Sequence, residues 1–206
     1  MFWTESAEFE IAGATVRLPQ GMEGLTGRRW SKGMFYEQAL LDHARAQNRR
    51  GTYVDAGMNA GNHALYFAKC CPATTVMGFE PFPRFLRRAQ DLFTLNELDR
   101  EVRVFNCALG REPGTVELEI RNLKITAPVL RLDDFALGDL ALMKIDVEGM
   151  ERPVLEGAER TIRAHRPVLY VEIFDEALAE TTAYLDALGY ERGPRFRSPT
   201  YAFLPR

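Results

Sequence analysis

The sequence predicts an α/β domain built on a doubly wound, mostly parallel, Rossmann-like sheet, with an antiparallel strand pair at its C-terminal end. Three observations predict it. From residue 52 onward, short apolar runs alternate with helix-length segments, the pattern of strands joined by crossover helices. The runs YVDA, VMGFE, ALMKID and VLYVEI are apolar without clean alternation, as strands are when helices cover both sheet faces. A glycine-bearing turn follows the first run and opens a helix.

Each element has its own signal. Residues 8–11 and 15–18 flank Gly13 and predict a hairpin. Residues 19–33 are rich in glycine and polar groups and predict a loop. Residues 35–45 place Phe35, Ala39, Leu40 and Ala44 at helical spacing, with Gly51 as the stop. Strand 52–56 leads through the turn at 57–61 to a helix over 62–71, stopped by Pro72. A strand over 75–80 and a helix over 82–95 follow, then a strand over 102–108 paired with another over 115–120. A strand over 140–147 precedes one helix over 150–164, whose Pro153 sits in the first turn, where a missing N–H is harmless. A strand over 167–173, a helix over 177–188 and a pair of strands at 190–195 and 200–204 close the chain. The expected division is a hairpin and loop over 1–34 and the main domain over 35–206.

Composition narrows the function. Hydrophobic residues make up 46% of the 206 and charged ones 27%, enough apolar side chain for a sizeable core. The formal net charge of −3 supplies no basic field, so neither nucleic acid nor a membrane is an expected partner. Cys70, Cys71 and Cys107 form no CxxC pair, and an odd, sparse set fits a reducing compartment. The acidic first ten residues do not read as a secretory signal, and the expected location is cytoplasmic.

Ligands of such sheets bind beyond the carboxyl ends of the strands, where strand order reverses. Asp55-Ala56-Gly57-Met58-Asn59-Ala60-Gly61-Asn62 follows the first parallel strand. Gly57 permits the sharp turn and Gly61 a close approach of helix to sheet or ligand. Glu80 closes the next strand, about 20 residues on, where an acid can accept hydrogen bonds from ribose hydroxyls. A dinucleotide fingerprint wants glycine where Asn59 stands, because pyrophosphate must touch backbone there. S-adenosylmethionine carries no phosphate and meets no such objection. Asp55 is placed to attract its ammonium group. Asn106 is a candidate partner for a base edge, with Cys107 and Ala108 packing on its face. The expected cofactor set is thus Asp55, Gly57, Asn59, Gly61, Asn62, Glu80, Pro81, Asn106, Cys107, Ala108 and Asp146.

The stretch Lys144-Ile145-Asp146-Val147-Glu148-Gly149-Met150-Glu151 is the most distinctive. Alternation puts Lys144, Asp146 and Glu148 on one face, and Glu172 ends the following strand. Asp146, Glu172 and Glu148 are the candidate catalytic carboxylates, to orient an acceptor or take its proton. Glu151 is equally suited to capping the helix it enters. Asp146 and Glu172 would also suit a divalent cation such as Mg²⁺, which is not predicted. His63, just inside the turn's helix, is expected to be structural. Trp30, Tyr36 and Glu37 are candidates for the acceptor wall, with packing of the leading helix the alternative for Tyr36.

At these residues the chain resembles the FkbM-like methyltransferases. The matching stretches are Phe35-Tyr36-Glu37, Val54 to Gly61, Phe79-Glu80-Pro81, Asn106 to Gly110, Leu132-Asp133-Asp134-Phe135, Lys144 to Glu151, Leu155-Glu156-Gly157-Ala158 and Pro167 to Glu172. The resemblance implies a class I methyltransferase fold, S-adenosyl-L-methionine as donor, and an O-methyltransferase acting on a hydroxyl of a small-molecule or glycan acceptor, whether a sugar, a glycan or a secondary metabolite. It places Asp146 near the transferred methyl. The segment between Gly110 and Leu132 is shorter than in many relatives, which suggests an open site, a larger acceptor or help from a partner subunit. Self-association is left open. The rival readings are a nicotinamide-dependent (NAD(P)) oxidoreductase and a non-catalytic nucleoside-binding or assembly module on the same fold.

Overall fold

The computed structural model describes residue 3 and residues 5–120, 123–197 and 199–206. The chain begins with a hairpin, β1 (Ser6–Ile11) and β2 (Ala14–Pro19), followed by α1 (Gly24–Trp30) and α2 (Gln38–Ala46). The parallel unit then runs β3 (Gly51–Ala56), α3 (Asn62–Cys70), β4 (Ala73–Phe79), α4 (Pro83–Leu95) and β5 (Val102–Phe105). Next come β6 (Ala108–Leu109), β7 (Gly114–Ile120), β8 (Leu123–Leu130) and a 3-10 turn at Leu132–Phe135. The remainder is β9 (Leu142–Ile145), α5 (Glu151–Gly157), α6 (Glu159–His165), β10 (Val168–Glu172), α7 (Asp175–Ala187), β11 (Tyr190–Arg195) and β12 (Thr200–Pro205).

The main sheet has seven strands in the order β11-β12-β10-β9-β3-β4-β5. Strands β5, β4, β3, β9 and β10 pair in parallel, and β12 is antiparallel to both β10 and β11. Strand β11 therefore runs the same way as the parallel set, and β12 is the reversed strand. Strand order turns back at the β3–β9 junction: β4 and β5 extend to one side, β10 and the tail to the other. That junction is the switch point at which α/β sheets bind ligands.

Alternate residues of each strand feed two cores. Tyr53, Val76, Leu142 and Tyr170 face one way, under α1 to α4 and the hairpin's Val16 and Leu18. Val54, Met77, Met143, Ile145 and Val171 face the other, under α5, α6 and α7. Burial on both faces is why these strands carry no polar alternation.

The structure corrects several sequence expectations. Residues 19–33 contain α1, because Trp30 plugs the core completely and Gly27 lets the helix lie on the Met22 carbonyl. The strand expected over 102–108 ends at Phe105, and Ala108–Leu109 joins a separate three-stranded sheet ordered β6-β8-β7. Residues 114–120 pair with β8, which the sequence reading did not anticipate, rather than with β5. The helix expected over 150–164 is broken at Ala158, whose φ of −114° is not helical. The next turn is capped from a distance. Asp133 accepts hydrogen bonds from the N–H groups of Arg160 (3.1 Å) and Thr161 (2.8 Å) and from the Thr161 hydroxyl (2.7 Å). Helix α2 starts at Gln38 because Glu37 is left-handed, with φ 57°. Among the described residues, no helix is long and apolar enough to cross a membrane.

Candidate active site at the strand-order switch

The turn after β3 is held by close backbone packing. Gly57 has φ +78°, and a Cβ there would lie 1.7 Å from the Asp146 carbonyl oxygen, so only glycine lets the segments leaving β3 and β9 pack this closely. The N–H groups of Gly57 and Met58 both donate to the Phe79 carbonyl (3.0 Å each), which ties the turn to β4. Glu80 completes the tie: one carboxylate oxygen accepts from Asn59 N–H and the other from Phe82 N–H, both at 2.8 Å. The Asn59 side chain folds back to accept from Ala60 N–H at 2.7 Å. Asn106 donates from its amide nitrogen to the carbonyls of Glu80 and Pro81, 2.9 Å each, and so fixes the far lip. Burial pushes the Glu80 carboxyl up to about 7 against the lowering effect of its two N–H donors.

A second cluster continues from the first. Lys144 is buried with its Nζ 3.1 Å from Asp146 and 3.4 Å from Asp55, and it donates to the Gly57 carbonyl at 3.4 Å. Burial alone would lower its affinity for a proton; the two aspartates outweigh that and hold it above its ordinary value. Among the described residues, neither Asp55 oxygen accepts a hydrogen bond, although the side chain is fully buried. Lys144 is thus its ion-pair partner, while both oxygens keep acceptor capacity that no donor fills. The Asp146 and Glu172 carboxyls lie close enough for each to act on the other's proton affinity. Burial pushes Asp146 up, but Lys144 and Glu172 draw it below the usual carboxylate range. Burial and the Asp146 charge push Glu172 the other way, up to about 8, with Glu148 adding to the repulsion. The pair therefore shares one proton, held on Glu172, while Asp146 stays charged.

His63 lies close enough to Asp146 to favour its charged form, and its Nε2 is 3.0 Å from Glu37 Oε2, both side chains nearly inaccessible. Three non-glycine residues around this hollow, Glu37, Asn59 and Glu148, have positive φ (57°, 52° and 54°). Such backbone is costly for the two glutamates, less so for asparagine, and is retained where the surroundings over-determine it.

The expected residues thus divide into two groups. Asp55, Gly57, Asn59, Glu80, Pro81 and Asn106 form one continuous lip, and Asp146, Glu172, Glu148 and Glu37 gather at its other end. The rest are turned into packing. Trp30 is fully buried, and its indole N–H donates to Asn62 Oδ1 at 3.1 Å, so its ring forms core rather than an acceptor wall. Asn62 is spent on that bond and on a two-way link to the Tyr36 backbone, 3.1 and 3.0 Å, so its amide stitches α3 to the leading segment instead of facing a ligand. Tyr36 is half-buried and gripped through that link. A Cβ on Gly61 would meet the Phe93 ring at 2.9 Å and Ala89 at 3.2 Å, so its missing side chain serves the close approach of α3 to α4. Cys107 and Ala108 are buried, and burial pushes the Cys107 thiol up to about 11, so it is no nucleophile. Glu151 caps the loop before its helix, accepting from the N–H groups of Val147 (3.2 Å) and Gly149 (3.0 Å).

Lys144 is the residue whose role the sequence reading missed. Its signal was present: a lysine inside an apolar strand, two residues before an aspartate. No group of three or more metal-ligating side chains occurs among the described residues. A groove of about 370 Å³ lined by Ala183, Tyr190 and Phe203 lies at the β11–β12 edge and contains none of these groups. Chemistry rather than concavity selects the switch point.

The chain is similar to known methyltransferases. The chain is 28% identical over 145 residues to Methyltransferase 1 of the fungus Beauveria bassiana, covering 52% of this chain and 57% of the fungal protein. Its fold matches the crystal structure of an FkbM methyltransferase from Methylobacillus flagellatus with a TM-score of 0.62, at 23% identity, over 75% of this chain and 43% of that one. It matches a Streptococcus mutans protein solved in complex with SAH with a TM-score of 0.56, at 10% identity, over 82% and 96% of the two chains. The chain thus spans roughly half the length of the first two relatives. The family model of the methyltransferase FkbM domain matches residues 55–192, a span that opens on Asp55 and contains Glu80, Lys144, Asp146 and Glu172; the chain belongs to the FkbM methyltransferase family.

Proposed function

We propose that this protein is an S-adenosylmethionine-dependent O-methyltransferase acting on a hydroxyl of a small-molecule or glycan acceptor. The observation that carries the reading is the continuous run of charged groups from Glu80, through Asp55, Lys144 and Asp146, to Glu172, laid across the carboxyl ends of β4, β3, β9 and β10. When bound, the cofactor supplies an activated methyl on a cationic sulfonium.

The residues present fit that group. Glu80, buried and anchored by two N–H donors, retains lone pairs for the ribose hydroxyls. Asp55, paired with Lys144 and without a hydrogen-bond donor, adds negative charge at the end where the ammonium would lie. The acids at this end outnumber Lys144, which favours a cation. At the acceptor end, Asp146 remains ionised and orients a hydroxyl by accepting its hydrogen bond. Glu172, held high, is the stronger base of the two once it has lost its proton, and it would take the hydroxyl hydrogen as the oxygen bonds to the methyl and the methyl–sulfur bond breaks, leaving SAH as a neutral thioether. Alignment of the reacting atoms supplies the rest.

Calorimetry and a product assay test this. The purified protein should bind S-adenosylmethionine and SAH but not NAD⁺, and should release SAH when given methyl donor and a panel of sugars, glycans and phenols. Binding of NAD⁺ in place of S-adenosylmethionine, or binding of S-adenosylmethionine without turnover on any hydroxylated acceptor, would contradict it.

A further inference from the structure

Resting on that reading of the site, we infer that Phe174 is the platform that selects the acceptor, and that the acceptor is an uncharged, hydroxylated ring compound. Strand β10 ends at Glu172, and the chain stays extended through Phe174, whose φ and ψ are −71° and 155°. Extended backbone sends alternate side chains to opposite sides. Ile173 is 2% exposed and belongs to the core, so alternation puts Glu172 and Phe174 on the opposite side, where Glu172 interacts with Asp146. The position is fixed from behind: Ile173 N–H donates to the Pro199 carbonyl at 2.7 Å.

The Phe174 ring is 47% exposed, one of four large apolar side chains so exposed among the described residues. The others lie elsewhere: Leu25 on α1, Leu123 and Leu130 on β8. Phe174 is thus an apolar surface standing next to the shared-proton carboxyls. Exposed acids outnumber bases along the chain here: Asp175 and Glu176 follow it and Glu148 acts on Glu172, against Arg197 in the segment that ends on Pro199. A flat C–H or π face can lie on the ring while a hydroxyl of the same molecule reaches Glu172. The excess of acids disfavours a phosphorylated or carboxylated ligand, so the ring is inferred to be uncharged. A sugar and a simple phenol share this chemistry, and separate probes distinguish them.

The test is ligand-observed NMR on the full chain saturated with SAH, using methyl β-D-glucopyranoside, catechol and glucose 6-phosphate as probes. At least one of the two uncharged rings should bind, and glucose 6-phosphate should bind more weakly than that ring. Phe174→Ala should weaken the bound ring by roughly two- to ten-fold, the worth of one aromatic contact, and Phe174→Tyr should restore it. Affinity for SAH, measured by calorimetry, should be the same in all three proteins, which shows that the variants are folded. Failure of both rings to bind, equal binding to Phe174→Ala, or preference for glucose 6-phosphate overturns the inference. Failure of wild type to bind SAH overturns the methyltransferase reading and this inference with it.

Discussion

Lys144 is the residue on which the site's electrostatics turn. It sits between Asp55 and Asp146, and its loss would leave a fully buried, uncompensated aspartate. Lys144→Met should cost about 3–5 kcal/mol of stability in urea unfolding, the penalty for breaking a buried pair. The double variant Lys144→Met with Asp55→Asn should recover part of it, since the orphaned charge goes too. The carboxyl pair makes a kinetic prediction. Glu172 accepts a proton only when ionised, so kcat/KM should climb as pH rises through about 8 and then level off. Asp146→Asn removes a charge that holds Glu172 high, so the climb should move to lower pH while the maximal rate falls. A profile unmoved by Asp146→Asn would detach the two residues. The roles of Asp55, Asp146 and Glu172 could be framed from sequence because charged residues at apolar strand ends need a reason. The fate of Asn62 and Trp30 could not. Which partner a buried polar side chain takes depends on α1 and α3 meeting across the core, and nothing local in residues 30–62 encodes that meeting.

Elements show the same division. The parallel strands and their crossover helices are legible because burial on two faces leaves an unmistakable apolar run. Helix α1 was not legible: its glycines argue against a helix locally, and packing of Trp30 overrides them. The break between α5 and α6 is also non-local. Ala158 offers no capping side chain, and the cap comes from Asp133, more than twenty residues earlier in the chain. Asp133→Ala should therefore destabilise the protein by about 1–2 kcal/mol, read as a lowered midpoint in denaturant with unchanged slope. Retention of full stability would mean that α6 is held by packing alone. Strand β8 escaped notice because Pro128 argues against a strand; it pairs nonetheless with β7, forming Thr115–Pro128 within the ladder.

At the scale of the whole molecule, the sheet sets buried Glu80 on one side of the switch point and half-buried Glu172 on the other, and folding stability carries the cost of the buried one. Glu80 takes up its proton near pH 7 in the folded chain and near 4.5 in the unfolded one. The folded state thus binds that proton more tightly. Its contribution to stability is complete below about pH 4.5 and is lost as pH rises toward 7, a change of up to about 3 kcal/mol. Urea titrations across that range should show the decline in wild type and a flatter curve in Glu80→Gln. That variant should itself be weaker at low pH, because glutamine has one acceptor oxygen for two N–H groups. A protein that keeps such a group is expected to use its ionised form for a ligand. The most direct measurement is a crystal structure of the complex with SAH. The ribose should lie on Glu80 and the amino-acid end toward Asp55 and Asp146, with the sulfur facing Glu172. Density for SAH at the β11–β12 groove, or a complex in which Glu80 makes no ribose contact, would contradict the account.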